Sequence, residues 1–164
     1  MDVIRYPDGR LKKVSERVTV FDENLTAFAY DMIDLMHRKK GIGLAAPQVG
    51  ELLRIIVVSP SGKEGDDFVL VNPEVAPLSG TEVREEGCLS LPGIYAPVSR
   101  PTKIFCRAFS LTGERVEFDA DGLLARIILH ECDHLNGILF IDRLSLDDLV
   151  AINNKLRELE KRKT

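Results

Sequence analysis

No apolar run approaches the ~18 residues that a membrane-crossing helix needs, so no membrane association is expected. The opening Met1-Asp2-Val3-Ile4-Arg5-Tyr6-Pro7 has neither an apolar core nor a small-residue cleavage site. No export signal is expected, and a cytoplasmic location follows as the expectation. Basic residues are not in excess: 22 Lys and Arg face 26 Asp and Glu, for a net charge of −4. That balance argues against broad nucleic-acid binding, which needs a basic surface, and no sequence-specific nucleic-acid partner is expected. Cysteine is scarce, at 3 residues. An odd number without an export signal does not make a disulfide framework. It leaves metal or redox work, or a plain buried thiol. Internal repeats and low-complexity segments are also absent. The 164 residues fit one domain, 1–164, large enough to bury its own core.

The pattern that is present alternates between helical and strand spacing. Residues 22–41 predict a helix, with Asp22 as cap and Leu25, Phe28, Ala29, Met32, Leu35 and Met36 on one stripe. His37, Arg38, Lys39 and Lys40 suit its C-terminal dipole, and His37 is expected to be solvated there. Residues 54–59 and 68–72 predict strands around a Ser/Gly/Asp-rich turn. Residues 102–109 and 114–119 predict a hairpin closing near Thr112-Gly113. Residues 121–138 predict a helix. A last helix follows Ser145, with Leu149, Ile152, Leu156 and Leu159 on its apolar side. Strands in the middle with helices before and after predict an α+β domain.

The chemistry is carried by Leu129-His130-Glu131-Cys132-Asp133-His134, which contains His-Glu-x-x-His. Residues four apart share a helix face, so both imidazoles can reach one metal ion. Glu131 sits at the edge of that face, close enough to meet an attacking water. The three fall within the apolar stripe of Leu123, Leu124, Ile127, Ile128, Leu135 and Ile138. Burying two imidazoles and a carboxylate there is costly unless they are paired. A metal with a water solves this; core histidines with ordinary hydrogen bonds are the plain alternative.

Two histidines leave a catalytic metal short of a ligand. Leu135-Asn136-Gly137-Ile138 supplies no third histidine, and no acidic residue follows until Asp142. Cys88, in Glu86-Gly87-Cys88-Leu89-Ser90, is the better candidate, although a structural thiol fits it too. Cys106 lies in an apolar strand. Cys132 is about 200° round the helix from either histidine and points away from the metal. A third segment, Gly41 to Gly50, is glycine-rich but lacks Gly-Lys-Ser/Thr, so it is no phosphate loop. By itself it is compatible with a simple turn.

Taken together, the three segments resemble peptide deformylases. Gly41-Ile42-Gly43-Leu44-Ala45-Ala46-Pro47-Gln48, Glu86 to Ser90, and Leu129 to His134 match the family's three signatures in order and spacing. Leu129 replaces the usual glutamine, and Cys132 fills the variable position. The resemblance implies a single domain of mostly antiparallel strands around a central metal-binding helix. It implies that Cys88, His130 and His134 hold one divalent ion, Fe(2+) in cells, with Zn(2+), Ni(2+) or Co(2+) able to replace it. It implies Glu131 as acid/base, and Gln48 with the Leu89 backbone N–H as oxyanion donors. The backbone around Ile42, Gly43 and Gly87 is then expected to align an extended peptide, with Arg100 near the substrate groove.

The implied reaction removes the formyl group from N-formyl-methionyl nascent peptides. Ile42, Leu123, Ile127 and the His130 ring are expected to line an apolar pocket for methionine, with the Arg126 stem at its mouth and its head in water. Lys155, Arg157, Lys161, Arg162 and Lys163 make the chain's end basic, which suggests ribosome contact. Two other readings of the helix motif are a zincin-type peptidase and a domain with a structural metal.

Overall fold

The computed structural model describes residues 1–162. Helix α1 spans Glu23–Arg38, and the Asp22 carboxylate caps it by accepting from the Leu25 N–H at 2.9 Å. The helix stops short of the expected end because Lys40 takes a left-handed backbone (φ 56°). The strands are β1 (Gly43–Ala45), β2 (Ile55–Val58), β3 (Phe68–Ser79), β4 (Glu82–Cys88), β5 (Leu91–Arg100), β6 (Lys103–Phe109) and β7 (Arg115–Asp121). Helix α2 spans Gly122–Leu135 and α3 spans Leu146–Lys161, with the Ser145 hydroxyl capping α3. No helix among the described residues is long and apolar enough to cross a membrane.

One sheet has the order β1-β2-β3-β6-β7 and the other pairs β4 with β5, all antiparallel. Strand β2 explains the layering. All four of its residues are buried, because both faces of the sheet are covered. Ile55 and Val57 face α1, packing with Met32, Leu35 and Met36. Ile56 and Val58 face α2, packing with Ala125, Ile128, Cys132 and Leu135. Period-two alternation thus places two different helices on two faces. Helix α2 is wedged between this sheet and the smaller one.

The smaller sheet has its own core. Ile94, Ala96 and Val98 of β5 pack with Ile152, Leu156 and Leu159 of α3. Each of those α3 side chains contributes roughly 1.5–3 kcal/mol by leaving water. Leu149, expected on that apolar side, is instead 37% exposed. The architecture is the expected α+β domain. The β4–β5 hairpin, however, was not anticipated from sequence, nor was the length of β3.

Candidate active site

The centre is assembled from α2, the end of β4 and a 3-10 turn. Helical spacing brings the His130 and His134 rings to 5.1 Å between centroids. The β4–β5 register shifts between Gly87 and Cys88, and the strand turns there. That turn sets Cys88 Sγ 3.3 Å from His134 Nε2. One donor atom each from Cys88, His130 and His134 lies within 4.8 Å of the others. These residues therefore fit a metal. The donors converge on one point, and a thiolate with two imidazoles suits borderline divalent ions. Burial holds His134 well below the usual histidine range, reinforced by His130. Burial thus favours at His134 the neutral imidazole that a metal ligand needs, whereas at His130 burial is outweighed by hydrogen bonds with Cys88 and Glu86, which hold it above its usual range.

Glu86 is the residue that sequence reasoning passed over. Its carboxylate meets His130 Nδ1 at 2.9 Å and accepts from Arg100 Nε and Arg126 Nη1, both at 2.8 Å. Occupying Nδ1 leaves Nε2 as the free nitrogen of His130. Burial raises Glu86, but hydrogen bonds from Arg100 and His130 outweigh it and bring the acid to about 2. Its period-two spacing from Cys88 was the available signal.

Asp133 continues this buried chain, accepting from Arg100 Nη1 at 2.6 Å and Arg143 Nη2 at 2.6 Å. Arg100 therefore does not line the groove as expected. It is 3% exposed and lies behind the site, bridging Glu86 and Asp133. The Arg126 head is not in water either: it donates to Glu86, to the Val98 carbonyl at 3.0 Å and to the Glu82 carbonyl at 2.8 Å. Nor is His37 a solvated dipole partner. Its Nε2 pairs with Asp67 Oδ1 at 2.7 Å, with both side chains mostly buried.

The other expected residues surround a cleft of about 580 Å³. Ile42, Gly43, Gln48, Gly87, Cys88, Leu89, Leu123, Ile127, His130 and Glu131 all line it. Glu131 Oε2 is buried with no hydrogen-bond partner among the described residues. Burial pushes Glu131 up to about 7, against the pull of His130. A carboxylate poised near neutrality and aimed into a cleft is suited to moving protons. The Gln48 amide is oriented by the Ala45 backbone N–H, which donates to Oε1 at 2.9 Å. Its Nε2 then donates to Ser90 Oγ at 3.2 Å and lies 3.4 Å from Cys88 Sγ. Ser90 was another unrecognised support. The N-terminal segment pins both sides, with the Ile4 N–H on the Gln48 carbonyl (2.8 Å) and the Tyr6 N–H on the Ser90 carbonyl (2.9 Å).

Two glycines permit this closeness. A Cβ at Gly43 would lie 2.5 Å from Glu131 Oε1, and one at Gly87 would lie 2.5 Å from the Tyr95 ring. Cys106 and Cys132 take no part: both are buried against the sheet. Among the described residues, only Cys88, His130 and His134 cluster as possible metal ligands.

The sequence pattern of the polypeptide deformylase family matches residues 1–149. The chain is 46% identical over 165 aligned residues to chloroplastic peptide deformylase 1B of Oryza sativa, covering 99% of this chain and 61% of that one. It thus spans less than two thirds of that relative's length. It is 44% identical to the peptide deformylase of Chromobacterium violaceum, covering 98% of this chain and 96% of the other. The crystal structure of Arabidopsis thaliana peptide deformylase 1B with an inhibitor superimposes with a TM-score of 0.96 at 42% identity, covering 99% and 92%. The family pattern covers most of the chain and the likeness to these relatives covers nearly all of it, so the chain belongs to the polypeptide deformylase family.

Proposed function

We propose that this chain hydrolyses the terminal formamide of N-formyl-methionyl nascent peptides, giving formate and a free amino terminus. The observation that carries this is the partnerless Glu131 oxygen beside a convergent Cys88, His130 and His134 donor set, with the Gln48 amide aimed at the same point. A divalent ion held by these three ligands supplies Lewis acidity and lowers the pKa of water towards neutrality. Glu131 takes the proton of the attacking water and later delivers it to the leaving amine. Gln48 Nε2 and the Leu89 N–H receive the negative charge that grows on the formyl oxygen. Ile42, Leu123 and Ile127 hold the methionine side chain, and the Gly43 and Gly87 backbones guide the extended peptide. Arg100 acts at one remove, by fixing Glu86 and Asp133.

Residues 1–164 act as one catalytic unit in this reading. The ion is Fe(2+), with Zn(2+), Ni(2+) or Co(2+) able to replace it, and the reaction takes place in the cytoplasm. A closed structural site would need a fourth protein ligand, and a zincin peptidase would not need the Gln48 and Cys88 segments. The basic end of α3 approaches the ribosome; Lys163 lies outside the described residues. Removing residues 157–164 and measuring co-sedimentation at two salt concentrations tests that contact, and unchanged binding dismisses it. Formate release from formyl-methionyl peptides, measured anaerobically beside metal content, tests the activity. Cleavage of internal peptide bonds without formate release would overturn it.

A further inference from the structure

One wall of the cleft carries charge that catalysis does not use. Arg5, Lys39 and Lys40 line it beside Gly41 and Ile42, and all three are exposed. Lys39 is paired with Asp2 at 2.8 Å, and Arg5 also feels Asp2. The side chains of Arg5 and Lys40 make no ion pair or hydrogen bond among the described residues. The lining includes one exposed acid, Glu85, which belongs to β4. The exposed cations thus come from the N-terminal segment and the stretch just after α1, which the Lys39–Asp2 pair ties together, and they outnumber the exposed acid in the lining.

The position of Lys40 relates this charge to the reacting centre. Gly43 marks that centre, because a Cβ there would touch Glu131 Oε1. Back along the chain, Ile42 and Gly41 lead out to Lys40. Extended backbone covers about 3.3 Å per residue, so Lys40 lies no more than ~10 Å from Gly43 along this wall. A substrate strand leaving the centre beside it covers that distance with its second to fourth residues.

We propose that Arg5 and Lys40 are specificity-determining residues that favour substrates carrying Asp or Glu at those positions. The inference rests on the hydrolase reading above and goes beyond it to the sequence of the nascent chain. An acidic side chain there supplies what the two cations lack, whereas a basic one meets repulsion. Exposed pairs act mostly on encounter and are screened by salt over roughly 8–10 Å.

Three formyl-methionyl peptides of equal length test it, with two Asp, two Lys or only neutral residues at positions three and four. For the metal-loaded enzyme at low salt, kcat/KM should favour the acidic peptide over the basic one by roughly three- to ten-fold. The ratio should shrink towards one in concentrated salt. The double variant Arg5→Glu with Lys40→Glu should invert it. Ratios taken within one preparation cancel any loss common to all peptides. A second readout is independent of turnover: anisotropy of labelled, already deformylated peptides should rank them in the same order, and the double variant should reverse that order. Equal kcat/KM for all three peptides, or a preference for Lys, overturns the charge proposal and leaves the hydrolase reading standing. Absence of cleavage overturns the hydrolase reading; the binding ranks then decide the charged wall, with equal binding overturning it.

Discussion

Replacing Glu86 with glutamine removes one buried charge and almost no volume. Glu86 accepts from Arg100 at 2.8 and 2.9 Å, from Arg126 at 2.8 Å, and meets His130 Nδ1 at 2.9 Å. Glutamine offers one acceptor oxygen for two, and turns an amide N–H towards groups that are themselves donors. Losing one partner of a buried pair costs about 3–5 kcal/mol. Arg100 keeps Asp133, and Arg126 keeps two carbonyls, which places this variant near the lower figure. The acid strength gives a second route. Displacement from 4.5 to about 2 corresponds to on the order of 3 kcal/mol at neutral pH. In a chain of this size ~3 kcal/mol lowers Tm by about 6–12 °C. The sign also fixes the pH window. A depressed carboxylate stabilises fully above about 4.5 and ceases to do so as pH falls through about 2. The Tm gap between wild type and Glu86→Gln should therefore be full at neutral pH and narrow as pH falls through that window. Metal affinity, followed by chelator competition, should fall roughly 10- to 100-fold as His130 loses its orienting partner. A variant within about 2 °C of wild type at neutral pH, with unchanged metal affinity, would refute the reasoning.

Four further outcomes are expected. Glu131→Gln should fold and keep its metal while turnover falls by roughly 10²–10⁴ with little change in substrate affinity; loss of metal instead would make Glu131 a ligand. Cys88→Ala should lose metal by elemental analysis, and full stoichiometry with full activity would remove Cys88 from the ligand set. Gly43→Ala places a Cβ 2.5 Å from Glu131 Oε1 and 2.8 Å from Ile127 Cγ2, so turnover should fall about 10²-fold through displacement of Glu131; wild-type turnover would show that the side chain yields freely. An Fe(2+)-loaded enzyme should lose activity in air faster than under nitrogen, through its thiolate ligand, and equal decay would count against that ligand.

What was legible in the sequence was what periodicity and caps encode. Asp22 and Ser145 announced their helices, and His-x-x-x-His at one helical turn announced the metal face. The β4–β5 hairpin was not legible. Its inward positions mix Glu86, Ala96 and Arg100 with Val98, and Pro92 and Pro97 interrupt the run, so an alternation of apolar and polar residues never appears. Its burial depends on α2 and α3, which arrive later in the chain. Arg100 and Arg126 were misplaced for a related reason. An arginine is read as a surface or substrate group unless its partners are known, and here those partners lie up to 44 positions away, as for Arg126 and the Glu82 carbonyl. His37 was read from its own helix end, although its acid comes from a loop beyond β2.

The buried charges also bear on why the site has this composition. Glu86, Asp133, Arg100 and Arg126 are each under 10% exposed. Buried ion pairs of this kind are often no more stabilising than apolar side chains of the same volume. Stability alone therefore does not account for them. Their placement does: Glu86 fixes His130 at Nδ1, and Asp133 immediately precedes His134 on the same helix. Apolar replacements could contribute as much stability. They would leave the His130 ring free to take either tautomer, and α2 free to slide against the strand that carries Cys88. The network stops both. Arg100 bonds to β4 through Glu86 and to α2 through Asp133, so the strand and the helix that provide the three ligands are clamped by one guanidinium. Orientation of the metal-binding face, rather than net stability, is the physical reason for burying so much charge behind it.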